Sequence, residues 1–174
     1  AWGGPVTTDL GDGGTSTFRL EFYSGIEPSL VGPIDLSSTI EANYATCATC
    51  IRVFSTDATG ELARQFFQDG GTITLIEDPF TNKHMIGTAT NVSLVEVTVD
   101  PNTFRSTPVI GGECLSLGNL ALDADNVPSA WTCAPTAYDD GTNCDCECGA
   151  YDPDCDLASP PVVGCTGTQI CVND

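Results

Sequence analysis

Cysteine and carboxylate side chains are crowded together in residues 144–156, CDCECGAYDPDCD. Residues of these two types allow two kinds of metal chemistry. Four thiolates can hold zinc, and several carboxylates can hold calcium, which takes about six to eight oxygen ligands. In an oxidising compartment the same thiols form disulfides instead. The other cysteines and the charge of the chain favour one of these chemistries over the others.

The number and spacing of the cysteines favour disulfides over zinc. Structural zinc sites commonly combine two C-x2-4-C pairs, whereas CDCEC has single-residue spacing and the one histidine, His84, is distant in sequence. The total of ten cysteines is even, which is typical of disulfide-bonded proteins from oxidising compartments. We therefore predict that all of them form disulfides: Cys47, Cys50, Cys114, Cys133, Cys144, Cys146, Cys148, Cys155, Cys165 and Cys171.

The distribution of the cysteines also predicts how two parts of the chain are joined. Cys47 and Cys50 form a CATC motif between strand-like flanks, and because a redox motif requires a following helix, we predict a structural disulfide here. Seven of the ten cysteines lie after residue 123. If every cysteine pairs within the chain, at least one of these seven must bond outside that region. Cys114 is the simplest partner if Cys47 bonds to Cys50.

Once the cysteines are assigned to disulfides, the carboxylates remain as metal ligands. DPDCD places three carboxylates at alternate positions, as the start of an EF-hand loop does, but Leu157 and Val163 stand where that loop has glycine and glutamate. We predict a calcium site of another kind, with DADN at 123–126 as a weaker second candidate. The alternative is a solvated acidic surface. The predicted ligands are Asp139, Asp140, Asp145, Glu147, Asp152, Asp154 and Asp156.

The overall charge excludes several classes of partner. The chain carries 24 acidic against five basic residues, a net charge of −19, and no basic residue follows Arg105. Such a surface repels nucleic acids and anionic membranes and attracts divalent cations. No apolar run reaches the roughly 18 residues of a membrane span. We therefore predict neither a nucleic-acid partner nor a membrane span.

The composition divides the chain into three parts. Residues 1–16 are rich in glycine and form an N-terminal extension, which either docks within its own chain or is a donor strand for a neighbouring copy. Residues 17–122 contain short strands separated by turn residues, which predicts an all-β fold of the β-sandwich class. Within them, TGELARQFFQ fits either a helical turn or a strand. Residues 123–174 predict a small disulfide-rich, loop-dominated module around Trp131.

Residues 131–155, WTCAPTAYDDGTNCDCECGAYDPDC, follow the pattern W-x-C…Y-x-D-G-x-x-C-D-C-x-C-G-x-x-D-x-D-C. In this segment the chain resembles Cys/Asp-rich modules of uncharacterised exported and surface proteins of myxobacteria and similar bacteria. The resemblance implies an extracellular accessory module and brings no activity with it. The initial AWGGPV fits a mature chain after signal-peptide removal, so we expect an extracellular or cell-surface location.

The residue types offer little for catalysis. His84 is a lone histidine, no G-x-S-x-G precedes a helix, and carboxylate pairs alone do not define a glycosidase dyad. We predict a non-enzymatic structural subunit of an extracellular or cell-surface assembly, such as a fibre. It would self-associate through residues 1–16 and be stabilised by disulfides and calcium. The alternatives are a monomeric calcium-dependent adhesion or carbohydrate-binding module and, third, a small secreted hydrolase.

Overall fold

The computed structural model describes residues 2–5, 10–26, 29–128, 130–157 and 161–164, and it confirms the all-β class. Eight strands pair antiparallel in one sheet, in the order β1-β2-β4-β5-β6-β7, with β3 beside β5 and β8 beside β6. A single helical turn, α1 (Pro79–Asn82), joins β5 to β6. The strands are β1 Trp2–Pro5, β2 Gly13–Phe22, β3 Gly32–Asp35, β4 Thr49–Asp57, β5 Leu62–Leu75, β6 His84–Val99, β7 Ser106–Pro108 and β8 Cys114–Asp125.

The two ends of the predicted sandwich extend beyond their expected limits. β2 begins at Gly13, inside the glycine-rich extension, and β8 continues to Asp125. β1 folds back in the same chain and pairs with residues 17–20 of β2. The ambiguous TGELARQFFQ stretch belongs mostly to β5, where Phe66 and Phe67 are buried on opposite faces of the sheet.

Bulges allow β5 and β6 to bend while their apolar side chains stay on one face. Phe66 and Ile73 are an odd number of positions apart on β5, yet both lie in the same core. The two-residue period of a strand would place them on opposite faces, and register shifts within β5 restore the common face. Gly71 lies in this bulge at φ +110°, where a Cβ would come within 2.8 Å of the Cα of Val92.

The inner faces of both halves of the bent sheet share one apolar core. Each fully buried Leu, Ile, Phe or Val side chain stabilises such a core by about 1.5–3 kcal/mol. A register shift between Ala89 and Val92 likewise keeps the apolar side chains of β6 on the face that borders the core. The buried members are Leu20, Phe22, Leu30, Leu36, Ala48, Ile51, Val53, Phe66, Ile73, Leu75, Met85, Ala89, Val92, Leu94 and Leu122.

A segment that we term the covering segment, residues 37–47, lies over part of the outer face of the sheet. Its Tyr44 ring packs edge-on against Phe67 with 5.9 Å between ring centroids. The expected disulfide between Cys47 and Cys50 is confirmed and closes the end of this segment onto β4. Together with Val97 these side chains form a second, smaller buried cluster.

The side chain of Gln68 fastens the covering segment to the sheet. Backbone pairing between β4 and β5 ends one residue before Gln68, and its buried amide continues the ladder. Its Oε1 accepts the Ile51 N–H at 2.6 Å. Its Nε2 donates to the carbonyls of Glu41 at 2.7 Å and Thr49 at 2.9 Å. The buried Glu41 carboxylate accepts the N–H groups of Ala48 at 3.2 Å and Thr49 at 2.9 Å.

The C-terminal module consists of turns held by disulfides, as predicted. Two short 3₁₀ turns, Pro135–Ala137 and Pro153–Asp156, accompany a two-residue parallel pairing of β9 (Cys144–Asp145) with β10 (Val162–Val163). Trp131 is buried at the centre of the module, as expected. The disulfides are Cys133–Cys148 and Cys144–Cys155, and Trp131 packs against Tyr138 with ring centroids 5.0 Å apart.

The predicted bond from the module to Cys114 is wrong, because Cys114 is an exposed free thiol. Cys114 begins β8, whereas the module follows the end of that strand at Asp125. A strand rises about 3.4 Å per residue, so β8 carries the chain away from Cys114 before the module begins, and a disulfide requires Cα atoms within about 7 Å. Cys146 is also disulfide-bonded. Cys165 and Cys171 lie outside the described residues.

We predict that Gln68→Leu destabilises the protein by about 3 kcal/mol, since the substitution leaves the buried Ile51 N–H and two buried carbonyls without partners. Urea unfolding monitored by circular dichroism measures the change. Gln65→Leu is the matched control on the same strand, and it should change stability by less than about 0.5 kcal/mol. Equal effects of the two substitutions would contradict a structural role for the Gln68 amide.

Candidate functional site

The structure separates the seven predicted calcium ligands into buried and exposed groups. Asp152 and Asp154 are buried at 1% and 2% exposure, Asp145 is half-buried, and the other four are exposed. Within the described residues no set of three or more His, Cys, Asp or Glu side chains converges so as to hold a metal. The predicted calcium site therefore stays a prediction.

The two buried carboxylates are used as acceptors for backbone N–H groups. Asp152 accepts from Asp139 at 3.1 Å and Asp154 at 3.2 Å through Oδ1, and from Asp145 at 2.8 Å through Oδ2. Asp154 accepts from Asp140 at 2.6 Å and from Gly141 at 3.0 Å. Hydrogen bonds of this kind to an ionised carboxylate are stronger than neutral ones. They fix the loop 139–145 in a module that has little apolar core.

The pKa of Asp145 reflects the negative charge of the module. Burial, and then the charges of Asp152, Asp140 and Asp154, raise the pKa of the Asp145 carboxyl above its usual range. A nearby cation would offset this repulsion. The surroundings of Asp145 therefore favour a positive charge.

His84 lies between two carboxylates at the end of the sheet nearest the module. Its Nδ1 is 2.6 Å from Glu77 Oε1 and its Nε2 is 3.0 Å from Asp123 Oδ1. These hydrogen bonds, with that to Glu77 the larger effect, raise the pKa of the imidazole above its ordinary value. Since both ring nitrogens are engaged, His84 joins the segment between β5 and α1 to β8.

An aromatic cleft of about 240 Å³ opens on the outer face of the sheet, at the opposite end of β6 from His84. It is formed by Tyr23 just after β2, Tyr44 in the covering segment and Phe104 in the β6–β7 hairpin, and we term it the aromatic cleft. Tyr23 and Phe104 are 41% and 57% exposed. The remaining lining residues are Ile26, Ala45 and Cys47.

An arginine and a glutamate support the floor of the aromatic cleft. The Arg52 guanidinium lies 4.2 Å from the centroid of the Tyr44 ring and bonds Glu21 at 3.0 Å. The hydroxyls of Tyr23 and Tyr44 are 3.4 Å apart. Burial, followed by the hydrogen bond with Tyr23, raises the pKa of Tyr44 well above its ordinary value, so its phenol stays protonated.

The hairpin loop that carries Phe104 is closed by hydrogen bonds and holds one residue in a strained conformation. Asp100 accepts the N–H groups of Asn102 at 2.9 Å and Thr103 at 2.8 Å, which closes the turn. Phe104 follows with φ +57°, a left-handed conformation that costs a non-glycine residue energy. The turn therefore presents a partly exposed aromatic ring at a local energetic cost.

Sequence reasoning missed the aromatic cleft because its residues come from three distant segments without a shared motif. Tyr23, Tyr44 and Phe104 each follow a strand or lie in a loop, where a single aromatic residue indicates nothing particular. The register of β2, β4 and β5 brings the segments together. Exposed aromatic residues in turns were the only available signal.

No protein-family model, curated protein or solved structure matches this chain. No helix within the described part of the chain combines the length and apolar character needed to cross a membrane. The function must therefore be argued from the contacts of the sites themselves.

We predict that part of the stability is lost as the pH rises through the neutral range. The folded pKa of His84 is raised, so its contribution is present below the unfolded pKa of about 6.5 and disappears as the pH passes the folded pKa. The melting temperature of the protein should fall by roughly 2–4 °C relative to that of His84→Gln between pH 5.5 and 8.5. A constant difference between the two across this range would contradict the assignment.

Proposed function

We propose that the protein is a non-enzymatic structural subunit of an extracellular or cell-surface assembly, and that copies join by exchanging β1. The observation that supports this proposal is the placement of β1 at the edge of the sheet. It contacts β2 through four register pairs, from Trp2 opposite Leu20 to Pro5 opposite Thr17. β1 is four residues long and lies at the end of the strand order, next to β2 alone among the described strands.

Strand exchange replaces each intramolecular contact by the same contact between copies. The hydrogen bonds of β1 to β2 are equivalent in both arrangements, so the balance depends on concentration and on the connecting segment. A strand in the same chain competes with an effective concentration on the order of a millimolar. Assembly by this route is therefore favoured where the local concentration of the protein is high, such as at a cell surface.

The opposite edge of the sheet offers a second place for strand addition. Within the described residues β8 pairs only with β6, although it spans twelve residues. Leu115, Leu117 and Leu120 pack against the core but remain partly exposed. Long edge strands of this kind promote association with another strand.

Durability outside a cell is supported by the covalent and electrostatic bracing of the loops. Disulfides close the covering segment and the C-terminal module, and such bonds persist in oxidising compartments. Several titratable side chains also stabilise loops, through hydrogen bonds. Both nitrogens of His84 and the carboxylates of Asp152 and Asp154 are held by hydrogen bonds that fix loops, which favours a non-enzymatic role.

We propose calcium as a second stabilising element, bound near Asp145, where burial and then the charges of Asp152, Asp140 and Asp154 raise the pKa of the carboxyl. With the affinity of an extracellular calcium module, about 10⁻⁴–10⁻³ M, 10 mM calcium should add about 1–3 kcal/mol of stability relative to chelator. Thermal unfolding measures this gain. Asp145→Asn should remove it, and the exposed Asp69→Asn serves as the control. No difference between calcium and chelator in the unaltered protein would contradict calcium binding.

Strand exchange predicts that a synthetic peptide of residues 1–12 binds a chain lacking residues 1–5. The shortened chain exposes the edge of β2, whereas β1 competes for that edge in the full chain. We expect binding to the shortened chain to be at least about tenfold tighter, measured by fluorescence anisotropy of a labelled peptide.

A peptide carrying Gly3→Pro and Gly4→Pro is the matched control, since proline removes backbone N–H donors from the strand. It should bind weakly to either chain. Equal binding of the two peptides, or equal affinity for the two chains, would exclude pairing of this segment with the edge of β2.

A further inference from the structure

β8 (Cys114–Asp125) forms an edge of the sheet that the described residues leave open. Within that part of the chain its strand partner is β6 alone. Successive residues of an antiparallel strand direct their backbone N–H and C=O groups alternately to its two sides. A large part of the backbone groups of β8 therefore points away from β6, and an edge of this kind is a template for another strand.

The leucines of β8 are spaced in a pattern that reads the same in both directions along the stretch LSLGNLAL. All four belong to the core or pack against it, although a strand without a bulge would turn the second and the third to opposite faces. The register shift beside Gly118, which has φ +61°, restores the common face. The row is therefore symmetric about a point between Gly118 and Asn119. Its members are Leu115, Leu117, Leu120 and Leu122.

Antiparallel pairing of β8 with β8 of a second copy about that point gives every leucine a leucine partner. Leu115 lies opposite Leu122 of the second copy, and Leu117 lies opposite Leu120. A two-fold axis repeats both contacts, so the apolar face continues from one sheet into the next. Directly opposed side chains on one face are the contacts that stabilise strand pairs. A shift of one or two residues would leave at least two of the four leucines opposite another residue type.

The carboxylates of β8 favour this arrangement over parallel pairing. Asp123 and Asp125 are exposed at the C-terminal end of the strand. In the antiparallel register Asp123 lies opposite Cys114 of the second copy. The two Asp123 side chains are then nine residues apart along the junction, about 30 Å, which is well beyond the screening length of about 8 Å. Parallel pairing would place each aspartate beside its counterpart, and like charges directly opposite destabilise a sheet.

We propose that β8 pairs antiparallel with β8 of a second copy, about a two-fold axis between Gly118 and Asn119. The same surface serves on both copies, so this contact closes a dimer. β1 lies at the other end of the strand order, and the dimer therefore keeps both β1 edges for exchange with further copies. This inference rests on the proposed function in self-assembly and adds to it a second contact of defined partner and register.

Cysteine cross-linking tests the register. In the antiparallel pair the exposed Ser116 and Ala121 lie opposite each other across the junction. Ser116→Cys and Ala121→Cys are introduced in separate full-length chains, each with Cys114→Ser to remove the free thiol. After mild oxidation, non-reducing electrophoresis of an equimolar mixture should show at least about tenfold more covalent dimer than either chain alone.

The single chains are the matched controls for the mixture. When one chain pairs with itself, the two introduced thiols are five residues apart along the junction, about 17 Å, and a disulfide requires Cα atoms within about 7 Å. Cross-linking confined to the mixture supports the proposed register. Equal cross-linking of either chain with itself, or none in the mixture, overturns it.

A charge placed in the leucine row tests the same contact without a cross-link. Leu120→Lys should weaken dimerisation of the full-length chain at least about tenfold in sedimentation velocity, because each lysine would lie opposite Leu117 of the other copy. Leu62→Lys, at the exposed start of β5, is the matched control and should stay within about twofold. Circular dichroism checks that both variants keep the fold. Equal dimerisation of the two folded variants overturns the inference.

A chain that lacks residues 1–5 separates this inference from the proposed function. It should still form dimers through β8 but nothing larger. If it stays monomeric while the full-length chain assembles, the β8 contact is wrong and the exchange of β1 stands. If the full-length chain forms dimers alone, cross-linked in the expected register, the β8 contact stands and the exchange of β1 is wrong. Monomers at every concentration contradict both.

Discussion

The hydrogen bonds of the Gln68 side chain are the interaction on which the outer face of this protein depends. The amide replaces backbone pairing at the point where β5 starts to bend, and it holds Glu41 and Thr49 at the same time. Gln68 therefore lies both where β5 bends and where the covering segment attaches to the sheet. Because Tyr44 belongs to that segment, the position of one wall of the aromatic cleft depends on these hydrogen bonds.

A second constraint is the excess of negative charge, since the chain has only five basic residues to offset 24 acidic ones. Arg64 is shared between Glu96 and Glu113, each at 2.9 Å, and joins β5 to β6 and to the segment before β8. In the C-terminal module, where no basic residue is available, backbone N–H groups take over and surround Asp152 and Asp154. The carboxylates thus organise loops that an apolar core cannot hold.

The edges of the sheet connect the fold to the proposed assembly. The strands β1 and β8 lie at edges of the sheet. Their backbone groups are surfaces through which neighbouring copies can pair.

Local sequence patterns predicted those parts of the structure that depend on neighbouring residues. The strand alternation, the Cys47–Cys50 disulfide and the burial of Trp131 are all of this kind. The free thiol of Cys114 was not predictable, because counting cysteines ignores the length of β8 that separates it from the module.

The candidate site depends on long-range register and was therefore beyond prediction from sequence. Tyr23 and Phe104 meet at one cleft only after the bulges in β5 and β6 have set the faces of the sheet. The two buried aspartates could be identified in sequence as candidate ligands. Their use as acceptors for backbone N–H groups could not, since it follows from the fold of the disulfide-closed loop.

Native mass spectrometry of a mixture of unlabelled and ¹⁵N-labelled full-length chains, taken through a concentration series, tests the central claim of self-assembly most directly. The account predicts oligomers that contain both isotopic forms and whose proportion rises with concentration. Monomers alone at every concentration would contradict it.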